Sequence, residues 1–355
     1  MFRILVINPG STSTKMALFE DEQERCTYCE KHTAEKLKQF SSIVDQKEFR
    51  TQVVKDWMEE NQINHQSLDA VVGRGGLLKP VEGGCYEVND AMIEDLRIGV
   101  QGQHASNLGG LIANDIADSA GIVAYIVDPV VVDEMAPVAR YSGHPVFERK
   151  SIFHALNQRA VAMEAAKSLN LSYQNCRLIV VHLGGGISIG AHANGQVIDV
   201  NNALNGEGPF APERSGGLPS GQLVDFCFES GQSQKDILKM LAGKGGLVAY
   251  LGTNDSLEIN QRIQDGDRYA AEVIDAMAYQ ISKTIGSMAV VLDGEVDAIV
   301  FTGGLARDKD LVQNIRSKVD WISQILVMPG EREMDALALG VLRVLKGEEN
   351  AREYL

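Results

Sequence analysis

Two turns rich in glycine, serine and threonine are the part of this 355-residue sequence most suited to chemistry. Each follows an apolar run, at residues 4–7 and 178–181, and each leads into a second apolar stretch, which predicts a β-hairpin. Such turns expose backbone N–H groups and hydroxyls that suit phosphate oxygens. The two hairpins indicate two related domains that face each other across one phosphate-bearing ligand. The candidate phosphate ligands are Asn8, Gly10, Ser11, Thr12, Ser13 and Lys15 in the first hairpin, and His182, Gly184, Gly185 and Gly186 in the second. Lys15 either balances phosphate charge or points to solvent.

Two arginines are placed where a guanidinium group could bind an anion. Arg74 follows an apolar strand and precedes Gly75 and Gly76, so its planar fork could bind a carboxylate or phosphate through two hydrogen bonds. The alternative is a surface ion pair. Arg214 lies in a loop whose glycines allow close approach to a ligand. A pair between Arg214 and its neighbour Glu213 is less favoured, because adjacent residues rarely face each other.

Carboxylates and histidines supply the remaining candidates. Asp128, Glu331 and Glu333 are the candidate metal ligands, because Mg²⁺ prefers few carboxylates and several waters. Glu331 and Glu333 also begin a predicted helix, where the helix dipole stabilises a carboxylate without any metal. The sequence supports both interpretations and does not choose between these two glutamates. His154, near the start of another predicted helix, is by residue type alone more often structural, and His104 is a candidate helix cap.

Several familiar motifs are absent or appear in the wrong context. Neither a Walker A loop nor a G-x-G-x-x-G fingerprint occurs. Residues 186–190 fit G-x-S-x-G around Ser188, but that motif needs a helix after the serine, and a hairpin turn at residues 194–195 follows instead. Ser188 is therefore expected in a strand or turn. The five cysteines, including Cys26 and Cys29, are expected to be free thiols.

Strands alternate with helices along the chain, which predicts an α/β class with largely parallel sheets. One helix is expected to start near Ser151, a long one to cover residues 267–291, and a last one to carry the apolar residues between Met334 and Leu345. Ligands of such sheets gather at the carboxyl ends of strands. The turns expected to share that edge lie at Asn8, Arg74, Asp128, Gly184, Gly303 and Gly330.

The formal net charge of -15, with a pI near 5.0, argues against nucleic acid or an anionic membrane as the main partner. No apolar run is long enough to span a bilayer, and the first residues lack a signal-peptide layout. We therefore expect a cytoplasmic location.

The motifs in their order resemble the acetate and butyrate kinases, the short-chain fatty-acid kinases of the actin, Hsp70 and sugar-kinase superfamily. The resemblance rests on residues 8–15, 72–76, 182–186, 212–216 and 301–304, and it spans nearly the whole chain. Residues 74–80 and 329–334 resemble the butyrate kinase branch most closely. The resemblance implies two similar ribonuclease H-like domains with mixed sheets, flanking helices and a central cleft. It places the acid- and phosphate-binding domain at residues 1–149 with 330–355, and the nucleotide-binding and dimerisation domain at 150–329.

The activity implied by the resemblance is reversible phosphoryl transfer from ATP to a short-chain carboxylate, giving ADP and an acyl phosphate. It implies Mg²⁺ as cofactor and a homodimer, or a higher homo-oligomer, in which dimers pack through the C-terminal domain. His154 would donate to the transferring phosphoryl group, and Arg214 matches the second catalytic arginine. Arg74 matches by role only, since the acetate branch has histidine at its position. The implied nucleotide-binding residues are Gly252, Thr253, Asn254, Asp255, Gly303 and Gly304, of which residues 254–256 also form a good helix-capping run.

Other functions stay open at this point. An acetate or propionate kinase differs by methylene groups in the acid pocket, which discriminate by only about 1–3 kcal/mol. A sugar kinase of the superfamily would need an aspartate near the second hairpin. An Hsp70- or actin-like ATPase would hydrolyse ATP without an acid acceptor, and little of the chain remains for the extra region that such proteins usually carry.

Overall fold

Both turns rich in glycine join antiparallel strands, as predicted. The computed structural model describes residues 1–355. Its strands are β1 (Arg3–Pro9), β2 (Ser13–Glu20), β3 (Gln23–Lys31), β4 (Ala70–Arg74), β5 (Cys85–Glu87), β6 (Val123–Val127), β7 (Leu178–Leu183), β8 (Ile187–Ala193), β9 (Gln196–Val200), β10 (Ala298–Thr302) and β11 (Ile325–Val327).

The helices differ widely in length, and several begin at a side-chain cap. They are α1 (Ala34–Leu37), α2 (Lys47–Glu60), α3 (Asp90–Ile98), α4 (Asn107–Ala120), α5 (Ala155–Ser168), α6 (Ser220–Glu229), α7 (Gln234–Leu241), α8 (Gly246–Leu251), α9 (Ser256–Gln264), α10 (Arg268–Val291), α11 (Lys309–Val319) and α12 (Glu333–Leu345). Asp267 caps α10 by accepting from the N–H of Ala270, which fixes the start of the predicted long helix. The helices include none with the length and hydrophobicity needed to cross a lipid bilayer.

Contacts divide the chain into two units, Met1–Asp133 with Arg332–Leu355, and Glu134–Glu331. The first unit holds a six-stranded sheet in the order β3-β2-β1-β4-β6-β5, and the second a five-stranded sheet in the order β11-β10-β7-β8-β9. In each, the first strand of the hairpin pairs antiparallel on one side and parallel on the other. Both sheets are therefore mixed, because the hairpins add antiparallel strands beside the expected parallel ones. The domain limits given above stay a prediction.

Each sheet is covered by helices that bury its apolar residues. In the second unit, β7 is buried on both faces: Ile179, Val181 and Leu183 pack in the core with α10, whereas Leu178 and Val180 pack in the core with α5. This explains the continuous apolar run of β7, which is typical of a strand covered on both sides. In the first unit, α4 packs on β4 and β6, and the C-terminal helix α12 packs on β1, β4 and β6.

The helix expected from Ser151 begins later, at Ala155, with His154 as its N-cap residue. The carbonyl of Ile152 accepts from the N–H of Ala203, and the Phe153 side chain is buried. Because these groups are already engaged, residues 151–153 do not enter the helix. All five cysteines are free thiols.

Candidate active site

The first hairpin turn is closed by the N–H of Gly10, which donates to the carbonyl of Ser13 over 2.8 Å. Ser11 and Thr12 are exposed at the tip. Asn8 and Lys15 lie directly opposite each other on β1 and β2, and such pairs share one face of an antiparallel sheet. Asn8 is buried and Lys15 is exposed. The turn thus presents exposed residues at its tip and an amide beside a cation on one face.

A buried arginine that the sequence analysis missed holds this turn from the inside. Arg50, on α2, is fully buried, and its Nη1 donates to the carbonyls of Gly10 and Ser13 over 2.9 and 2.7 Å. Its Nη2 donates to Gln46 Oε1 over 2.9 Å. Burial lowers the pKa of Arg50 to about 10, so the group is still a cation near neutral pH. The carbonyl and N–H of one peptide unit point in opposite directions, so the N–H of Ser11 points away from Arg50.

The signal for Arg50 lies in the helical pattern of α2. Arg50, Val54 and Trp57 are all buried and lie at i, i+4 and i+7, on the apolar face of the helix. A charged residue on such a face needs buried partners, and here those partners are backbone oxygens of the turn.

Arg74, at the end of β4, forms a two-point ion pair with Glu333 at the start of α12. Arg74 Nη2 lies 2.8 Å from Glu333 Oε1, and Arg74 Nη1 lies 3.0 Å from Glu333 Oε2. Asn8 Nδ2 donates to the same Oε2 over 2.7 Å. Asn8, Arg74 and Glu333 therefore form one cluster within the first unit.

His104 lies at the start of α4, where its Nδ1 accepts from the N–H of Ser106, the N-cap residue. Loss of solvation and the positive charge of Arg74 lower the pKa of His104.

Glycines let α4 approach β4 closely enough to position Arg74. A Cβ on Gly73 would lie 2.1 Å from the carbonyl oxygen of Gly109, and a Cβ on Gly76 would lie 2.6 Å from Asn107. Asn107 Oδ1 accepts from the N–H of Leu77 over 2.9 Å. The backbone before and after Arg74 is thus fixed against the N-terminal part of α4.

The three candidate metal ligands have different surroundings. Asp128 is buried and accepts from the N–H of Gly84 over 2.7 Å, whereas Glu333 belongs to the cluster with Arg74. Glu331 has an exposed side chain, and its carbonyl accepts from Asn157 Nδ2 over 2.7 Å within the second unit. No group of three or more His, Cys, Asp or Glu side chains is arranged to hold a metal ion. The geometry groups Glu333, and not Glu331, with Asn8 and Arg74.

In the second unit, His154 and His182 stack with ring centroids 3.8 Å apart and an angle of 8° between the rings. His182 is the buried fifth residue of β7, and its Nδ1 lies 2.6 Å from Asn157 Oδ1. His154 Nδ1 lies 2.8 Å from the hydroxyl of Ser188. Ser188 lies in β8 and is buried, which confirms its expected place in the hairpin.

Arg214 lies against the second glycine turn. A Cβ on Gly186 would lie 2.0 Å from Arg214 Nη1, which also donates to the carbonyl of Ala203. The N–H of Glu213 donates to the carbonyl of Gly185 over 3.2 Å. Arg214 makes no ion pair, and burial lowers the pKa of its guanidinium group, an effect that the charge of Glu213 opposes. Gly184 and Gly186 leave room for His182 Nε2 and Arg214 respectively.

Part of the predicted nucleotide-binding set reaches the same turn. Asn254 Nδ2 donates to Glu213 Oε1 over 2.5 Å, and a Cβ on Gly303 would lie 2.3 Å from the carbonyl of Leu183. Gly252 ends α8 in the left-handed conformation. Asp255 accepts from backbone N–H groups as the N-cap of α9. The structure therefore brings Asn254 and Gly303 to the second hairpin, while Asp255 acts as a helix cap.

Comparison with known proteins finds a relative that matches the chain over nearly its full length. The chain is 54% identical over 353 residues to butyrate kinase 2 of Clostridium acetobutylicum, covering 99% of both chains. Residues 136–322 match the model of the acetokinase family.

Two solved structures share the fold at low sequence identity. The acetate kinase of Porphyromonas gingivalis is 20% identical with a TM-score of 0.81, covering 97% of this chain and 100% of the other. A propionate kinase from Francisella tularensis is 22% identical with a TM-score of 0.77, covering 96% and 99%. At these identities the likeness concerns the fold, and it confirms the predicted class of two mixed sheets flanked by helices. The relative of 54% identity and the family model show that this chain belongs to the acetokinase family.

Proposed function

We propose that this protein is a butyrate kinase, which transfers the γ-phosphoryl group of ATP to butyrate or a branched relative. The observation that carries the proposal is the 54% identity to butyrate kinase 2 over 99% of both chains. In the reaction, a carboxylate oxygen attacks the γ-phosphorus and the bond to the β-phosphate oxygen breaks. The products are ADP and an acyl phosphate, and no proton is released or taken up in this step.

In the first unit, we assign Asn8, Arg74 and Glu333 to the reacting end of the substrates. Phosphoryl transfer depends on positioning and charge neutralisation. The guanidinium of Arg74 supplies positive charge, and Glu333 fixes its orientation by binding both terminal nitrogens. The exposed tip of the first hairpin and Lys15 would bind phosphate oxygens, with Arg50 holding the turn in shape.

In the second unit, we assign His154, His182 and Arg214 to the transferring phosphoryl group. Arg214 is half-buried and makes no ion pair, so its guanidinium group is available to bind an anionic ligand. Gly184–Gly186 would accommodate phosphate oxygens. Gly252–Asp255 with Gly303 and Gly304 would bind adenosine, an assignment that the place of Asn254 beside Glu213 supports.

We also propose Mg²⁺ as the cofactor, because the resemblance to the family implies it. The carboxylates of Glu333 and Asp128 and the amide oxygen of Asn8 are donors that this ion accepts together with water. When bound, it would neutralise phosphate charge during transfer. We also propose a cytoplasmic location and a homodimer, which follow from the resemblance to the family.

A hydroxamate assay tests the function directly. Protein supplied with ATP, Mg²⁺, butyrate and hydroxylamine should yield butyryl hydroxamate, because hydroxylamine traps the acyl phosphate. A panel of acids from acetate to branched C5 acids then ranks the substrates. Absence of product with every short-chain acid would reject the proposal. ATP consumption that is equal with and without acid would favour an ATPase, and a sugar phosphate in a parallel sugar panel would favour a sugar kinase.

A further inference from the structure

A continuous chain of buried polar groups leads from the interior of the second unit to His154. The Tyr173 hydroxyl lies 2.9 Å from His192 Nδ1, and His192 Nε2 lies 3.0 Å from Gln158 Oε1. Gln158 Nε2 donates to the carbonyl of Ser188 over 3.0 Å and to its hydroxyl over 2.7 Å. The Ser188 hydroxyl then lies 2.8 Å from His154 Nδ1. The catalytic roles proposed above use only the last member of this chain.

The direction of each hydrogen bond in this chain is determined by one group that can only accept. The carbonyl of Ser188 accepts, so the Gln158 amide must present its nitrogen there and its oxygen to His192. His192 Nε2 therefore carries a hydrogen, and its Nδ1 accepts from Tyr173. Burial lowers the pKa of His192 to about 3, which agrees with a neutral ring that donates once and accepts once.

The same reasoning places the hydrogen of the Ser188 hydroxyl. Gln158 uses its two amide hydrogens on the carbonyl and hydroxyl oxygens of Ser188. The hydroxyl oxygen is thus an acceptor, and its own hydrogen needs an acceptor in turn. His154 Nδ1, at 2.8 Å, is that acceptor. A hydrogen on Nδ1 would leave the buried serine hydrogen without this bond.

We propose that Ser188 is a positioning residue that holds His154 in the neutral tautomer with its hydrogen on Nε2. Gln158 fixes the orientation of Ser188, and His192 and Tyr173 continue the buried chain beyond Gln158. The ring then offers an N–H donor at Nε2, the atom opposite the serine contact, and the use of that donor on the phosphoryl group rests on the proposed function. This role also accounts for the G-x-S-x-G serine, which does not act as a nucleophile here.

The stacked partner of His154 carries a hydrogen on the corresponding nitrogen, Nδ1. Asn157 Nδ2 donates to the carbonyl of Glu331 over 2.7 Å, so its Oδ1 faces His182 Nδ1. Because Oδ1 only accepts, His182 Nδ1 carries a hydrogen. The two stacked rings, His154 and His182, therefore differ in protonation at Nδ1, which provides an internal comparison within one sample.

The tautomers can be measured without any assay of activity. In protein labelled with ¹⁵N-histidine, long-range ¹H–¹⁵N correlation spectra distinguish Nδ1–H from Nε2–H rings, and His154→Gln and His182→Gln identify two of the seven histidines. We expect Nε2–H for His154 and Nδ1–H for His182. A wild-type spectrum with the hydrogen on Nδ1 of His154 would overturn the proposal, even if no serine variant folds.

Ser188→Ala removes the hydroxyl donor, and Tyr173→Phe is the matched control at the far end of the same buried chain. In Ser188→Ala we expect His154 to lose its single tautomer and kcat to fall about 10- to 100-fold, the range known for residues that orient metal-binding histidines. KM for ATP and butyrate should change little, since the substrate contacts remain. Tyr173→Phe should keep the His154 tautomer, because the Ser188 carbonyl still orients Gln158.

Unchanged spectra and kcat in folded Ser188→Ala would refute the positioning role. Loss of the tautomer in Tyr173→Phe as well as in Ser188→Ala would likewise refute control by Ser188. If the wild-type protein phosphorylates no acid, the proposed function fails, but the spectra still decide the tautomer.

Discussion

The two arginines predicted from the sequence are held in contrasting ways. Arg74 is bound at both terminal nitrogens by Glu333, whereas Arg214 is half-buried, makes no ion pair and donates to the carbonyl of Ala203. Removing a charge even partly from water without a counter-charge is costly. Arg214 is therefore the better candidate of the two to bind an anionic ligand. Substitution of Arg214 should affect activity more than stability.

Arg214→Ala should lower kcat/KM by about 10³-fold or more, the range seen when an arginine that stabilises transferring phosphate is removed. Arg214→Lys keeps the charge but not the planar fork, so it should restore only part of the activity. Circular dichroism and thermal unfolding serve as the control that the fold is retained. Turnover equal to wild type in folded Arg214→Ala would contradict the assigned role.

Candidate site residues could be proposed from the sequence where the residue type and its immediate neighbours were informative. Arg214 next to glycines and His182 at the end of an apolar run could be proposed from their neighbours in sequence. Asn157 and Gln158 could not, because each looks like an ordinary helical residue, and the place of Arg50 on the apolar face of α2 indicates burial without naming its partners. Their partners lie far along the chain, as for Arg50 and the carbonyl of Gly10, 40 residues apart.

At the scale of elements, the position of Arg74 depends on how closely α4 approaches β4. Gly73 and Gly109 face each other across this contact, and the backbone of Arg74 itself lies 2.2 Å from where a Cβ of Gly109 would stand. Neither residue can carry a side chain without movement of the helix or the strand. The glycines thus set the spacing of two elements, and through it the place of Arg74.

Gly73→Ala should destabilise the protein by about 1–3 kcal/mol, because the new methyl group would force the strand and helix apart. Gly286→Ala is the matched control: Gly286 lies inside α10, and a Cβ there meets no atom within 4 Å. That substitution should stabilise by about 0.5–1 kcal/mol, the difference between alanine and glycine in a helix. Urea unfolding of both variants measures the two effects, and equal stabilities would contradict the argument.

At the scale of the whole molecule, each half of the chain builds the same kind of sheet. In both units a hairpin lies beside parallel strands, with β1 and β4 in one matched by β7 and β10 in the other. The relative of 54% identity extends over both halves. The fold also buries titratable groups such as His192, which make the stability of the protein depend on pH.

We expect the free energy of unfolding to fall as the pH drops below about 6.5. Burial holds the pKa of His192 near 3 in the folded protein, against an ordinary value of 6.5. Between these values the unfolded chain binds a proton that the folded protein does not, which costs up to about 1.4 kcal/mol per pH unit. Urea unfolding between about pH 7 and pH 5 should show a steeper decline for wild type than for His192→Gln. Parallel declines would contradict this assignment.

The sequence alone determined the hairpins, the alternation of strands and helices and the family, because turn chemistry and hydrophobic periodicity are local properties. Only the tertiary structure decided which glutamate joins Arg74: Glu333 is 259 residues away in sequence, and Glu331 is equally acidic and nearly adjacent to Glu333. The same holds for the hydrogen on His154, which depends on Ser188 and Gln158 meeting in the folded second unit. Contacts of this kind follow from sheet order and helix packing, and residue type and spacing do not specify them.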